Sequence, residues 1–492
     1  MTVNVNLLSL STLPSHVARP TYDRKGLTPG VIHFGIGNFH RAHMAVYFDD
    51  LFAKGVDHDW AIVGAGVRDT DVPLRDALQP QDWLTTVVAQ EANATDARVT
   101  GAMIDFIEPF KTRALIDAMS RPEIRIVSMT ITEGGYFISP ATQRFDTANA
   151  EIVADAASID APKTVFGYIV AALKARRKAG VAPFTVMSCD NIPGNGHVAE
   201  NAVAGLAELA DKDLAAWIRA NVSFPNSMVD RITPATTDRE RDILANDFGV
   251  HDNWPVFCED FRQWVLEDKF PTGRPALEKA GVTFTSDVSP YELMKIRILN
   301  GGHAAIAYPS GLLDIHFVHE GMEDQQVASF LRRLTDEEII PTVPPPPGVD
   351  LNDYRDLIAR RFANPKIGDT ISRLCLDGSN RQPKFILPTV ADRLKAGASI
   401  SGLALVSALW CRYCYGVSES GKVIPPNDPS WDRLQAAAKL AKDDPRAYLA
   451  MRDIFGALAD EAAYIAAFSN ALNKLWSQGV RKTLDDYLKG AL

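Results

Sequence analysis

Cysteine is scarce in this chain, with five in 492 residues: Cys189, Cys258, Cys375, Cys411 and Cys414. That is too few for a disulfide scaffold, and the odd count leaves at least one thiol unpaired, so a reducing compartment, the cytoplasm, is expected. The single Cys-x-x-Cys, Cys411 to Cys414, has no second pair to complete a zinc site and lies in the apolar run 403–415, so it reads as core packing. Positive charge is in deficit: 51 Lys and Arg against 61 Asp and Glu leave a net charge of −10. A nucleic-acid partner therefore lacks its electrostatic footprint. Long hydrophobic runs are missing too. Residues 402–417 are apolar but short and interrupted by Arg412, which suits a buried helix rather than a membrane span. The first twenty residues have no basic start followed by a clean apolar core, so no signal peptide is expected. Internal repeats and long low-complexity tracts are absent; the proline cluster at 341–348 reads as a stiff surface loop. What remains is an ordinary globular composition, 46% hydrophobic and 23% charged, on a chain long enough for two or three domains.

From Val31 to about Val288, short β-branched runs (31–34, 61–64, 125–132, 184–189) alternate with amphipathic stretches such as 164–179. That alternation predicts βαβ units and a parallel sheet. After about Pro290 the strand signals fade. Residues 325–334, 353–362, 434–441, 443–457 and 461–476 read as helices. The expected architecture is α/β: a Rossmann-like, parallel-sheet, dinucleotide-binding domain at 1–285, then a mostly α-helical substrate and catalytic domain at 286–492.

The run 31–34 leads directly into Gly35-Ile36-Gly37-Asn38-Phe39-His40-Arg41 and a helix expected to continue to Phe52. Two glycines allow a tight turn and close approach to a pyrophosphate, and the helix N-terminus offers it free N–H groups. His40 occupies the usual third glycine position. A second pair, Gly64 and Gly66, reads as a decoy, because Pro73 is near and no helical pattern follows. It does place Asp69 just past a strand end, where a carboxylate can take ribose hydroxyls and repel a 2′-phosphate, favouring NAD over NADP. His33, His40 and His43 lack a carboxylate or cysteine to complete a coordination set, so no metal is expected.

The clearest chemistry lies in residues 291–304. At about 100° per residue, Glu292, Lys295, Asn300 and His303 share a helical arc of roughly 140°. Gly301 and Gly302 weaken a helix there, which suggests close approach by a ligand or another backbone. Alcohol oxidation needs a base for the hydroxyl proton and donors for the alkoxide. Lys295 and Asn300 supply both without a metal.

Lys295-x4-Asn300-x2-His303 resembles the hallmark of the polyol-specific long-chain dehydrogenases and reductases, the family of mannitol 2-dehydrogenase, fructuronate and tagaturonate reductases, and arabinitol dehydrogenase. Residues 35–43, 131–136, 188–196, 224–234, 259–264 and 361–385 are similar to further family blocks, in family order. The resemblance is strongest to the mannitol 2-dehydrogenase branch. It implies NAD-dependent interconversion of a polyol and a ketose, D-mannitol and D-fructose. Lys295 would be the general base, Asn191 and Asn300 oxyanion donors, and Glu292 a proton relay. His303 would bond a neighbouring substrate hydroxyl, with Asp230 and Arg373 orienting the polyol, unless those two form a structural ion pair. Cofactor contacts are implied at Gly35, Ile36, Gly37, Asn38, Phe39, Arg41, Asp69 and Glu133. A fructuronate reductase would want an extra cation, for which Arg373 or Lys384 could serve. A noncatalytic NAD-binding sensor would have no use for the base. The expected partner is a small-molecule substrate, not nucleic acid or membrane, and the expected assembly a monomer.

Overall fold

The computed structural model describes residues 2–139, 142 and 144–492. The chain divides into two compact units, Met1–Ser289 and Pro290–Leu492.

The first unit is built on five parallel strands: β1 (Pro29–Phe34), β2 (Ala61–Ala65), β3 (Met103–Ile107), β4 (Ile126–Met129) and β5 (Thr185–Ser188). Their spatial order is β3-β2-β1-β4-β5, every neighbouring pair parallel. Every residue of β2, β4 and β5 is buried. Strands covered on both faces need apolar residues throughout, which is why they stand out in the sequence as unbroken runs. Ile32 and Phe34 enter one hydrophobic cluster and Val31 another, as alternation along a strand requires. The segment expected at 164–179 is the helix Val165–Ala179, started by the Thr164 hydroxyl accepting from the Gly167 N–H at 3.1 Å. The chain runs from β1 outward through β2 to β3, then returns to β4 and β5 on the other side of β1. Sheets of this kind hold ligands outside the carboxyl ends of the strands where the order reverses, here β1 and β4.

Among the described residues the unit also holds a two-stranded parallel pair, Val3–Asn4 with Val250–His251, and two three-stranded sheets. One joins Val256–Glu259, Thr85–Gln90 and Thr95–Thr100; the other joins Thr283–Thr285, Gln263–Glu267 and Ser227–Asp230. Each three-stranded sheet contains one antiparallel pair, in addition to the parallel sheet that was expected.

The second unit is helical, and among its described residues extended pairing is limited to the bridges Phe317–Thr370 and Val417–Val423. Gln325–Leu334 and Leu351–Phe362 are helices. Ser401–Cys414 is buried from Gly402 to Cys414 and packs against the long helix Ala462–Leu488. The expected helix at 443–457 is instead broken into Arg446–Leu449, Arg452–Phe455 and a 3₁₀ turn at Gly456–Asp460, with Gly456 at φ +55°. All five cysteines are free and buried, and burial pushes the Cys411 and Cys414 thiols up, away from the reactive thiolate. Among the described residues, no helix is long and apolar enough to cross a membrane.

Candidate active site

In the first unit, β1 ends in a turn that glycine alone can make. Gly35 has φ +90°, and a Cβ there would lie 2.0 Å from the Thr130 carbonyl oxygen. Gly37 caps the short helix α1 (Asn38–Ala42), and a Cβ built on it would meet no atom within 4 Å. One glycine is thus required by the protein, while the other leaves open space at a helix N-terminus, where a phosphate is favourably placed. The expected single helix breaks at His43 (φ −118°, ψ −87°) before α2 (Met44–Ala53).

Buried polar groups hold this turn from below. His33 bridges Ser128 Oγ at 2.8 Å and Thr130 Oγ1 at 3.0 Å, and the Thr130 hydroxyl donates to the Gly35 carbonyl at 2.6 Å. The His40 ring stacks on His33 with centroids 3.7 Å apart. Arg41, grouped above with the cofactor contacts, is 1% exposed. Its guanidinium donates to the Ile36 and Trp254 carbonyls and, at 2.8 Å, to Asn38 Oδ1. The Asn38 amide in turn donates to Pro234 O and Thr236 Oγ1. Both side chains brace the turn from inside. Phe39 stacks on His43, and Ile36 is buried.

Asp69 is exposed just beyond β2, in a 3₁₀ turn whose Asp71 carboxylate accepts from the Val67 and Arg68 N–H groups. A helix does follow the second glycine pair: α3 (Val72–Leu78) starts there with Pro73 in its first turn, where proline is favoured. Gly64 and Gly66 are required by packing, since a Cβ on either would lie within 3 Å of Phe106.

The β4 and β5 ends are tied together by Asp190, a residue the sequence did not single out. Its carboxylate accepts from the Ile131 N–H (3.0 Å), the Thr132 N–H (2.8 Å) and the Tyr136 hydroxyl (2.7 Å). Burial pushes its pKa up, against the pull of those donors. This link fixes the exposed Glu133, in the 3₁₀ turn Glu133–Tyr136, beside the loop carrying Asn191 ahead of α4 (Asn195–Ala210). Thr132 stands at φ +62°, ψ +165°, a region rare outside glycine, so its backbone is strained where the two loops meet. Asp230, 6% exposed, ends its strand opposite Gln263.

In the second unit the catalytic candidates do not lie on a uniform α-helix. α5 (Ser289–Met294) passes into a π-helical turn, Lys295–Asn300, and then into α6 (Gly301–Leu312). The Gly301 N–H bonds the Ile296 carbonyl, five residues back. On an α-helix Lys295 and Asn300 would stand about 140° apart; the wider turn brings side chains five apart towards the same face. Such turns concentrate at functional sites. Arg297 anchors the turn through the Thr342 carbonyl at 2.7 Å and an ion pair with Asp392. Lys295 is 7% exposed, and His303 stacks on Phe362 with centroids 4.2 Å apart.

At Gly301 the close approach expected is made by another backbone, and at Gly302 by side chains. A Cβ would sit 3.4 Å from the Phe385 carbonyl at the first, and 3.4 Å from Leu331 and Phe362 at the second, so both glycines face neighbouring elements of this unit. Arg373 is bidentate to Asp369, one helical turn earlier, and this carboxylate raises its pKa. The partner weighed from the sequence was Asp230; Asp369 was not among the expected partners. A cavity of about 250 Å³ in this unit is lined by Ile298, Leu331, Thr335 and Ile358, among others, and not by Lys295, Asn300 or His303.

The model of the mannitol dehydrogenase Rossmann domain matches residues 29–279, and that of the mannitol dehydrogenase C-terminal domain matches residues 287–476. A mannitol 2-dehydrogenase of Cereibacter sphaeroides is 58% identical over 473 residues, 96% of this chain and 99% of that protein. Among solved structures, the Pseudomonas fluorescens mannitol 2-dehydrogenase ternary complex with NAD and D-mannitol is 43% identical, with TM-score 0.87 over 99% of both chains. A substrate-free D-sorbitol dehydrogenase is 37% identical, with TM-score 0.91 over 98% of this chain and 100% of that one.

Proposed function

Since the chain belongs to the mannitol dehydrogenase family, we propose that it is an NAD-dependent polyol dehydrogenase interconverting D-mannitol and D-fructose. The observation that carries this reading is the π-helical turn that sets Lys295 and Asn300 five residues apart on one widened turn. The glycine turn fits a dinucleotide: Gly37 leaves open space at the α1 N-terminus, and the exposed Asp69 stands past the next strand. When bound, NAD supplies the hydride acceptor.

The chain's own residues then handle the oxygen and its proton. Lys295 takes the hydroxyl proton as the general base of the oxidation. Asn191 and Asn300 donate to the alkoxide, stabilising the charge that develops there without competing for its proton. Glu292, three residues before Lys295, passes the proton on to solvent. His303, its ring orientation held by Phe362, bonds an adjacent hydroxyl, and Asp230 and Arg373 orient the rest of the polyol. Five buried free thiols suit a cytoplasmic enzyme.

A panel of mannitol, sorbitol, arabinitol, fructose and fructuronate with NAD(H) and NADP(H) tests the assignment. Mannitol and fructose with NAD(H) should give the highest kcat/KM. The D-sorbitol dehydrogenase likeness makes sorbitol the sharpest competitor; a clear preference for sorbitol or fructuronate would overturn the substrate while leaving the family intact.

Cofactor choice gives a separate test at Asp69. Asp69→Ala removes the carboxylate assigned to the ribose hydroxyls and leaves the exposed Arg68 beside it. NAD efficiency should fall and NADP efficiency rise relative to it. An unchanged NAD/NADP ratio would place the ribose elsewhere.

A further inference from the structure

Phe110 is 61% exposed and has φ +66°. Both features are unfavourable, since water surrounds a large aromatic ring and an L-residue with a Cβ is held in the left-handed region. Strain of this kind persists where the surroundings fix it, and it concentrates at binding sites.

The surroundings of Phe110 are well fixed. It follows β3 at the carboxyl edge of the parallel sheet, next to the loop that carries Asp69. The Gly66 N–H bonds the Ile107 carbonyl at 3.2 Å, continuing the β2–β3 pairing past the strand ends. Arg75 of α3 pairs with Glu108 at 3.0 Å. A Cβ on Gly66 would lie 2.8 Å from Pro109 Cγ and 3.1 Å from Asp71 Cβ, so the Pro109 and Asp71 side chains flank the same point. Residues 107–110 and 66–71 thus form one rigid rim, with Phe110 and Asp69 both exposed on it.

We propose that the Phe110 ring stacks on the adenine of the bound dinucleotide, beside the ribose that Asp69 holds. An adenine is flat and aromatic, and covering the ring with it would remove the exposed apolar surface. The proposal rests on the dinucleotide reading of the first unit and adds the residue that recognises the base.

The test is calorimetric, with AMP, NMN and NAD titrated into wild type, Phe110→Gly and Phe110→Tyr. Glycine removes the ring and also relieves the left-handed backbone, so Phe110→Gly should melt no lower than wild type. It should bind AMP and NAD about five- to a hundredfold more weakly, with NMN affinity unchanged. Phe110→Tyr should retain wild-type AMP affinity. Unchanged AMP affinity in Phe110→Gly overturns the proposal, as does a fall in its melting temperature, which would make the ring a packing element. Wild type that binds neither AMP nor NAD would instead overturn the dinucleotide reading itself.

Discussion

Lys295→Met should lower kcat for polyol oxidation by about 10²–10⁴-fold, the usual contribution of a general base, while NAD affinity stays near wild type. Affinity should hold because the glycine turn and Asp69 belong to the first unit, whereas Lys295 lies in the π-helical turn of the second. Methionine is the informative replacement, since Lys295 is 7% exposed. Alanine would remove the base and also leave a void, mixing lost chemistry with lost packing. Lys295→Ala has its own use, because the vacated space should admit small amines that accept the proton. Turnover of the alanine variant should therefore rise with added methylamine, and that of the methionine variant should not. Stopped-flow measurement of NADH formation, with NAD binding followed separately, distinguishes these effects. Wild-type kcat in Lys295→Met would remove Lys295 from the chemistry; loss of NAD binding would give it a structural role instead.

How far the sequence revealed this site depends on the physics of each element. The strands of the parallel sheet were legible because burial on both faces demands continuous β-branched and aliphatic runs. The hairpin of Thr85–Gln90 and Thr95–Thr100 was not, because its second strand alternates Asp96 and Arg98 with the buried Ala97 and Val99 and so makes no continuous apolar run. Pro73 misled for the opposite reason: proline disrupts a helix interior but suits a first turn, and only the position of α3 tells the two apart. The π-helical turn has no compositional signature. Its residues would run equally well as α-helix, and the extra residue is accommodated by tertiary anchors such as Arg297 on Thr342 and Asp392. The residue types at 292, 295, 300 and 303 were therefore legible while their relative angles were not. Asp369 was within reach, since it lies four residues before Arg373, the spacing of a helical ion pair. Asp190 was hidden between a cysteine and the candidate Asn191, and its importance shows only in the two loops it joins.

Acid should unfold the first unit well before ordinary carboxylate titration would. His33, His40 and His43 are all 0% exposed. Burial lowers the pKa of His33 to about 3, with only the Gly35 carbonyl opposing it. His40 is pushed well below 6.5 by burial and by the nearby His33, Arg41 and His43, and its ring nitrogens have no hydrogen-bond partner among the described residues. His43 is lowered to about 3 by burial, with Arg231 and Arg262 adding to the shift and the Gln263 carbonyl and Asp230 opposing it. In the unfolded chain each would take a proton near pH 6.5. Below that pH the unfolded state binds more protons than the folded one, so stability falls as pH falls, and above it these groups contribute no pH dependence. Each histidine adds a slope of up to about 1.4 kcal/mol per pH unit, or about 4 for the three together. Asp190, whose pKa is raised, offsets part of this by taking its own proton in the folded state. Against a total stability of about 5–15 kcal/mol, the drop from pH 6.5 to 5 is enough to bring unfolding close. Urea midpoints should be flat between pH 7 and 8 and fall steeply below 6.5. His40→Phe, which keeps a ring stacked on His33 but cannot take a proton, should reduce that slope by about a third. A midpoint constant from pH 7 to 5 in wild type would mean that the three imidazoles are protonated, or hydrated, in the folded protein.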